Sequence, residues 1–162
     1  MYMLRTTQQH HVQLSFMADQ KANILITCNS IILSLSLARL DVIQQYWSTY
    51  TLFAASASSM ILALLVVTPF SANKETIDSK EDNFNFLFFG HFTNVSFHRF
   101  KDKMNETMES SSQVKDAMLR DIYQVGMVLK TRKYRFLKWS SAVFMLGVIS
   151  SMMVLVVQIM SA

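Results

Sequence analysis

The chain has 162 residues, enough for one domain or one small membrane bundle, and 51% of them are hydrophobic. Charged residues make up only 16%, against about 25% in a typical soluble domain, and the formal net charge is +4. The single cysteine, Cys28, excludes an internal disulfide and a cysteine-based metal site. This balance predicts that much of the protein surface faces lipid.

Three apolar segments each reach the ~17–25 residues that a helix needs to cross the hydrocarbon core of a bilayer. They are residues 22–40, 51–69 and 136–160. The first is too long for a cleaved signal peptide, and no small-residue cleavage site follows it before Arg39. We therefore predict an all-α membrane protein with three transmembrane helices and a small helical cytoplasmic module, residues 70–135.

Residues 1–21 continue the helical pattern of the first span, so we expect one long helix that begins in the cytoplasm. Polar side chains at spacings of three and four form a stripe along this helix. A helix that only crosses lipid does not need such a stripe, so we interpret it as a gating or pore-lining surface. The stripe consists of Asp19, Asn23, Thr27, Ser30 and Ser34. Lys21 lies beside the stripe, and we include it in the predicted gating surface.

Small residues at helical spacing occur in the other two spans and predict close approach between helices. They are Ala55, Ser59 and Ala63 in the second span, and Ser140, Gly147 and Ser151 in the third. Packing within a bundle is one explanation for these residues. The alternative is that some of these faces line a water path when the assembly changes state.

Basic residues are concentrated between the second and third spans, above all in residues 130–135, whereas the connector 41–50 has no Lys or Arg. The positive-inside rule then predicts a cytoplasmic N-terminus and a cytoplasmic module.

Within this module, residues 73–83 are polar and predict a loop, and an aromatic block, residues 84–92, follows it. Because Phe84, Phe86 and Phe88 alternate, we expect a short extended strand with one apolar face. These rings have two possible roles. They cover the end of the bundle, or they form a stacking platform for a nucleobase.

Two helices are predicted after the aromatic block. The first covers residues 94–108, with Ser96 as a plausible N-cap. A break is expected at residues 109–112, and a second amphipathic helix runs from about residue 113 into the third span.

Motifs typical of enzymes do not occur in the chain. It has no Gly-rich phosphate loop, no zinc-binding His/Glu/His spacing and no nucleophile elbow. Asp78, Glu81 and Asp82 form no recognisable acid–base pair, and the adjacent His10 and His11 do not share a helix face. We predict a non-enzyme with no catalytic residues, no metal and no cofactor.

Three motifs resemble those of the transmembrane effectors of Pycsar, a bacterial antiphage system. The first is Met17-Ala18-Asp19-Gln20-Lys21-Ala22, which leads into Ile24-Leu25-Ile26-Thr27. The second is Asn85-Phe86-Leu87-Phe88-Phe89-Gly90, and the third is Tyr123 with Lys133-Tyr134 before the last span. The resemblance extends from the first helix to the last span, in the same order.

In that family, a companion pyrimidine nucleotide cyclase makes cyclic CMP or cyclic UMP on phage infection, and the effector impairs the inner membrane and halts growth. The resemblance therefore implies a multi-pass protein of the bacterial inner membrane that acts in abortive infection. It implies the cyclic nucleotide, the bilayer and the cyclase as partners, and a homo-oligomer, with no nucleic acid. No separate cyclic-nucleotide-binding domain is recognisable in residues 70–135. The sequence leaves the choice between cyclic CMP and cyclic UMP open.

On this basis we expect the nucleotide to bind near the aromatic block, with a ring stacked on the base and a basic side chain near the phosphate. The candidate ligand-binding residues are Phe86, Phe89, His91, Asn94, Arg99 and Lys101.

An alternative function is that of a membrane anchor or adaptor whose cytoplasmic module docks a soluble partner. A channel or transporter subunit without nucleotide control is less favoured, because no span is broken and no acidic residue lies at mid-depth.

Overall fold

A computed structural model describes residues 2–38, 47–68 and 85–161, and these residues are helical nearly throughout, with no strand. The elements in chain order are α1 (Tyr2–Ala38), α2 (Trp47–Val67), α3 (Phe89–Phe92), α4 (Phe97–Glu109), α5 (Ser111–Val128), a π-helical turn (Leu129–Tyr134) and α6 (Arg135–Ser161). The predicted loop 73–83 and the connector residues 41–46 lie outside the described residues, as do Asp78, Glu81 and Asp82.

Three helical stretches are long and apolar enough to cross a membrane, which confirms the prediction of three spans. They are Tyr2–Ala38, Trp47–Val67 and Ser111–Ser161. α1 is continuous, as the sequence predicted, because no glycine or proline interrupts it. The third stretch joins α5, the π-helical turn and α6 without a break.

The helices fold as two compact units. The first unit contains residues 2–14 and 85–129, and the spanning unit contains residues 15–38, 47–68 and 130–161. α1 therefore contributes its beginning to the first unit and its remainder to the spanning unit.

In the spanning unit, α2 and α6 pack through the small residues that the sequence singled out. Ser59, Ala63 and Ser140 are completely buried. Gly147 lies so close to α2 that a Cβ atom at this position would collide with the Cβ of Ala55. The predicted packing seam is therefore confirmed, and a side chain larger than hydrogen at position 147 would separate the two helices.

The interior of the spanning unit contains a buried polar network beside its small apolar residues, and the sequence did not predict this network. The amide of Asn29 on α1 donates to Ser59 Oγ at 3.1 Å, and Ser140 Oγ donates to the carbonyl oxygen of Ser59 at 2.8 Å. Large apolar side chains instead lie on the outer surface, among them Ile61 and Leu146. This distribution suits a bundle in lipid, where hydrogen bonds and close backbone approach hold helices together.

The structure corrects the predicted strand in the aromatic block. Residues 86–88 form a turn, and Phe89–Phe92 forms the short helix α3. The alternation of aromatic residues was misleading because the side chain of Asn85 caps the turn, accepting from the Leu87 amide at 2.9 Å. Phe84 lies outside the described residues.

The predicted pair of helices is confirmed with small shifts. The first is α4, which begins three residues later than predicted, and the break falls at Ser110. Ser96 occupies the N-cap position of α4 with an extended backbone, but its side chain makes no capping hydrogen bond.

Candidate functional site

A cavity of about 300 Å³ lies in the first unit, between the turn of the aromatic block and α4. It is lined by Phe86, Val95, Arg99, Phe100, Asp102, Lys103 and Glu106. Residues 99, 102, 103 and 106 share one face of α4, because they are spaced by three and four along the helix. The turn supplies the opposing wall through Phe86. The cavity thus combines aromatic rings with charged groups of both signs.

The charged side chains that line the cavity differ in whether they have an ion-pair or hydrogen-bond partner. Lys103 forms an ion pair with Glu106 at 2.9 Å, and Asp102 binds His98 at 2.8 Å. All four side chains are more than half exposed, so these pairs are readily exchanged for other partners. Arg99 has no ion-pair or hydrogen-bond partner among the described residues. Its guanidinium is therefore the group most available to an anion.

The turn that carries Phe86 is held in place by Asn85, which is 2% exposed. The Asn85 amide nitrogen Nδ2 donates to Asp121 Oδ1 at 3.2 Å, and Gln8 donates to the other oxygen of Asp121 at 2.8 Å. Asp121 lies on α5 and Gln8 lies on α1. Asn85 thus ties the cavity wall to α5 directly, and Asp121 extends the connection to α1.

His91 holds the same turn from the other side. Its Nδ1 accepts a hydrogen bond from the backbone amide of Asn85 at 3.0 Å, and its ring meets Phe88 edge-on at 5.2 Å. An Nδ1 that accepts a hydrogen bond is unprotonated, and burial lowers the pKa of His91 below its ordinary value of 6.5. His91 therefore has a structural role in this conformation.

The structure brings two of the candidate ligand-binding residues together at the cavity, Phe86 and Arg99. Asn94 and Lys101 are exposed and do not line it, and His91 binds Asn85 instead. The side chain of Phe89 lies outside the described residues. The assignment of these residues to a ligand stays a prediction.

Sequence reasoning missed part of the cavity wall. The missed residues are Val95, Phe100, Asp102, Lys103 and Glu106. The available signal was the helical spacing of apolar and charged residues on α4, which identifies one face but not the turn that covers it. Among the described residues, no group of three His, Cys, Asp or Glu side chains is placed to hold a metal ion.

The residues of the predicted stripe on α1 differ in exposure, since two are partly buried and the others are exposed. Asp19 binds Lys133 of the π-helical turn, with both carboxylate oxygens 2.7 Å from the ammonium, and Ser15 Oγ accepts from the same ammonium at 2.9 Å. Ser30 is half-buried and bonds the backbone of its own helix. The remaining stripe residues are exposed, namely Asn23, Thr27 and Ser34, and so is Lys21 beside the stripe. Their role in gating stays a prediction.

Comparison with known families gives one finding. The family model described as the Pycsar effector protein domain, PycTM, matches residues 2–160. The comparisons with curated proteins and with solved structures gave no match.

Proposed function

Because this chain belongs to the family of Pycsar effector proteins, we propose that a cyclic pyrimidine nucleotide activates it and that it then impairs the bacterial inner membrane. Growth arrest of the infected cell follows from the loss of the membrane barrier. The nucleotide, cyclic CMP or cyclic UMP, comes from a partner pyrimidine nucleotide cyclase. The protein has no catalytic step of its own in this scheme.

The cavity beside α4 suits a ligand of this class. Its volume of about 300 Å³ is at the lower end of the ~300–1,000 Å³ typical of small-molecule sites. A cavity of this size suits a small ligand such as a mononucleotide. The pyrimidine stacks on Phe86 or Phe100, while Arg99 pairs with the cyclic phosphate. The carboxylates of Asp102 and Glu106 accept hydrogen bonds from the ribose hydroxyl or from the base. The observation that carries this assignment is the guanidinium of Arg99, which lines the cavity and has no partner among the described residues.

The route from the ligand to the membrane begins at the turn. Phe86 lines the cavity, and the neighbouring Asn85 is bound to Asp121 on α5, which is bound to Gln8 on α1. α1 and the stretch that starts with α5 both continue into the spanning unit. A ligand that binds one position of the turn more tightly than another would therefore bias two spans. Converting a rare state into the dominant one takes about 5 kcal/mol, which favours several coupled sites in an oligomer.

The first experiment tests the ligand site. Cells carry the effector and an inducible pyrimidine nucleotide cyclase, and dye entry reports membrane damage. We expect Arg99→Gln to abolish dye entry, because the phosphate loses its charged partner. The matched control is Lys101→Gln, which removes the same charge two residues away, outside the cavity, and should keep the response. Equal responses of the two variants, at equal membrane levels, would contradict the site.

The second experiment separates an effector from a membrane anchor or adaptor. The triple variant Asn23→Leu, Thr27→Val and Ser34→Ala removes exposed polar groups from α1 without removing the span. If the protein is an effector that makes the membrane leak, the triple variant should abolish dye entry. If it is an adaptor, the triple variant should keep its function. Three exposed methionines of α6, changed together to leucine, serve as the control: Met145, Met152 and Met153. Unchanged permeability on induction of the cyclase, with folded wild-type protein present, would refute membrane damage.

A further inference from the structure

A second cavity, of about 360 Å³, lies on the spanning unit between α1 and the beginning of α6. Its lining residues are Lys21, Ile24, Leu25, Tyr134, Leu137, Lys138 and Ser141. The floor and walls are mainly apolar, and the two lysines come from different helices, Lys21 from α1 and Lys138 from α6. This groove, which we name the interfacial groove, shares no residue with the cavity beside α4.

No acidic side chain among the described residues pairs with the two lysines of the interfacial groove. Both side chains are exposed, and neither has an ion-pair or hydrogen-bond partner in the part of the chain that the structure describes. This distinguishes them from Lys133, whose ammonium is bound by Asp19 and Ser15. Two unpaired ammonium groups on one apolar groove create a site that an anion would neutralise.

The position of the groove along the spans indicates the depth at which its ligand lies. Lys21 precedes the apolar part of α1, and Lys138 lies near the start of the apolar part of α6. The neighbouring Trp139 is 59% exposed, as is typical of a tryptophan at the boundary between hydrocarbon and headgroups. Lysines at such a position place their ammonium groups at the level of lipid phosphates.

We propose that the interfacial groove binds an anionic phospholipid, with the headgroup phosphate at Lys21 and Lys138 and an acyl chain along Ile24, Leu25 and Leu137. The apolar walls favour an amphiphile over a soluble anion, which would leave them unfilled. The two cations favour an anionic over a zwitterionic lipid, whose own cationic group repels the second lysine. The bound lipid then joins α1 to α6 on the spanning unit.

The test uses the tryptophan beside the groove as the reporter. The chain has two tryptophans, so Trp47→Phe leaves Trp139 as the only one. The full-length protein is reconstituted in phosphatidylcholine vesicles with one fifth phosphatidylglycerol, and the bromine label is placed on one lipid or on the other. We expect brominated phosphatidylglycerol to quench Trp139 with an apparent binding constant about 25-fold higher than that of brominated phosphatidylcholine, because each of the two lysines contributes about fivefold.

The lysines are then removed with charge-matched controls. A lysine near an anionic surface contributes about fivefold in binding, so Lys21→Gln with Lys138→Gln should reduce the preference to less than twofold. The control is Lys115→Gln with Lys130→Gln, which removes the same charge outside the groove and should keep the preference. The variant Lys21→Arg with Lys138→Arg should also keep the preference, because it retains both positive charges in the groove.

Three outcomes would overturn the proposal. One is a preference below twofold in the Trp47→Phe protein, and another is an equal loss in the two charge-removed variants. The third is full displacement of the lipid by millimolar inorganic phosphate, which would show that a soluble anion is the ligand.

Discussion

Two asparagine side chains are almost completely buried, and each ties helices together within its own unit. Asn29 connects α1 to α2 through Ser59, which in turn binds Ser140 on α6. Asn85 connects the turn of the aromatic block to α5 through Asp121. A buried amide NH2 group costs several kcal/mol unless it donates a hydrogen bond, so these donations favour one arrangement of the surrounding helices.

His91 gives the first unit a predicted dependence on pH. Burial lowers the pKa of His91 below 6.5, so the unfolded chain binds this proton more readily than the folded one. The stabilising contribution of neutral His91 is therefore fully present above pH 6.5 and is lost as the pH falls below that value. We expect protection factors from amide hydrogen exchange in residues 85–92 to be lower at pH 5.5 than at pH 7.5.

The control for this prediction is His91→Asn. An asparagine oxygen replaces Nδ1 as the acceptor for the Asn85 amide but does not titrate. The substitution leaves Asp121, the other side chain bound to Asn85, unchanged. The variant should lose most of the pH dependence, and an unchanged dependence would assign it to another group.

Among the elements, the π-helical turn Leu129–Tyr134 has the clearest structural effect. A π-helical segment accommodates an extra residue within a continuous helix and changes the direction in which the following side chains point. Here it carries Lys133, whose ammonium lies between Asp19 and Ser15 of α1. The pair is only partly exposed, at 24% for Lys133 and 33% for Asp19. The turn thus joins α1 to the beginning of α6 by a charged contact.

We expect Asp19 and Lys133 to be energetically coupled. Asp19→Asn and Lys133→Met each leave the other charge without its partner, so each should destabilise the protein more than the double variant does. A double-mutant cycle on unfolding in detergent micelles should give a coupling free energy of about 1–2 kcal/mol. Additive effects of the two substitutions would show that the contact contributes nothing.

The polar residues exposed on α1 predict a surface through which copies of the chain would associate. Asn23, Thr27 and Ser34 are exposed on α1, at positions where a lone span would present them to lipid. Polar groups in hydrocarbon gain from a protein partner that can hydrogen-bond with them. A second copy of α1 is such a partner, which is consistent with the homo-oligomer implied by the family.

A cysteine scan tests this association. In the background Cys28→Ser, we introduce Thr27→Cys, which lies on the polar stripe. The native chain is the control, because its exposed Cys28 lies about 100° further round the same helix. Disulfides form only when two Cα atoms come within about 7 Å. We expect oxidation to give dimers through residue 27 after induction of the cyclase, and few through residue 28. Equal cross-linking at the two positions, or none, would contradict the association through the stripe.

The sequence by itself determined the elements that depend on local periodicity and composition. It predicted three spans because long apolar runs have no other stable solution than a helix in lipid. It also identified the seam that contains Gly147 and Ala55, because small residues at helical spacing mark close packing. Periodicity predicted the wrong secondary structure for the aromatic block. Its backbone conformation depends on a side-chain contact of Asn85 and not on the alternation of phenylalanines.

Only the tertiary structure decided which residues from distant parts of the chain meet. The partnership of Asp19 with Lys133 joins positions 114 residues apart, and that of Gln8 with Asp121 joins positions 113 apart. The same holds for the cavity wall at Phe86 and Arg99 and for the groove shared by Lys21 and Lys138. Periodicity specifies the face of a helix on which a residue lies, but the partner of that face depends on how helices pack, because packing is a property of the whole chain.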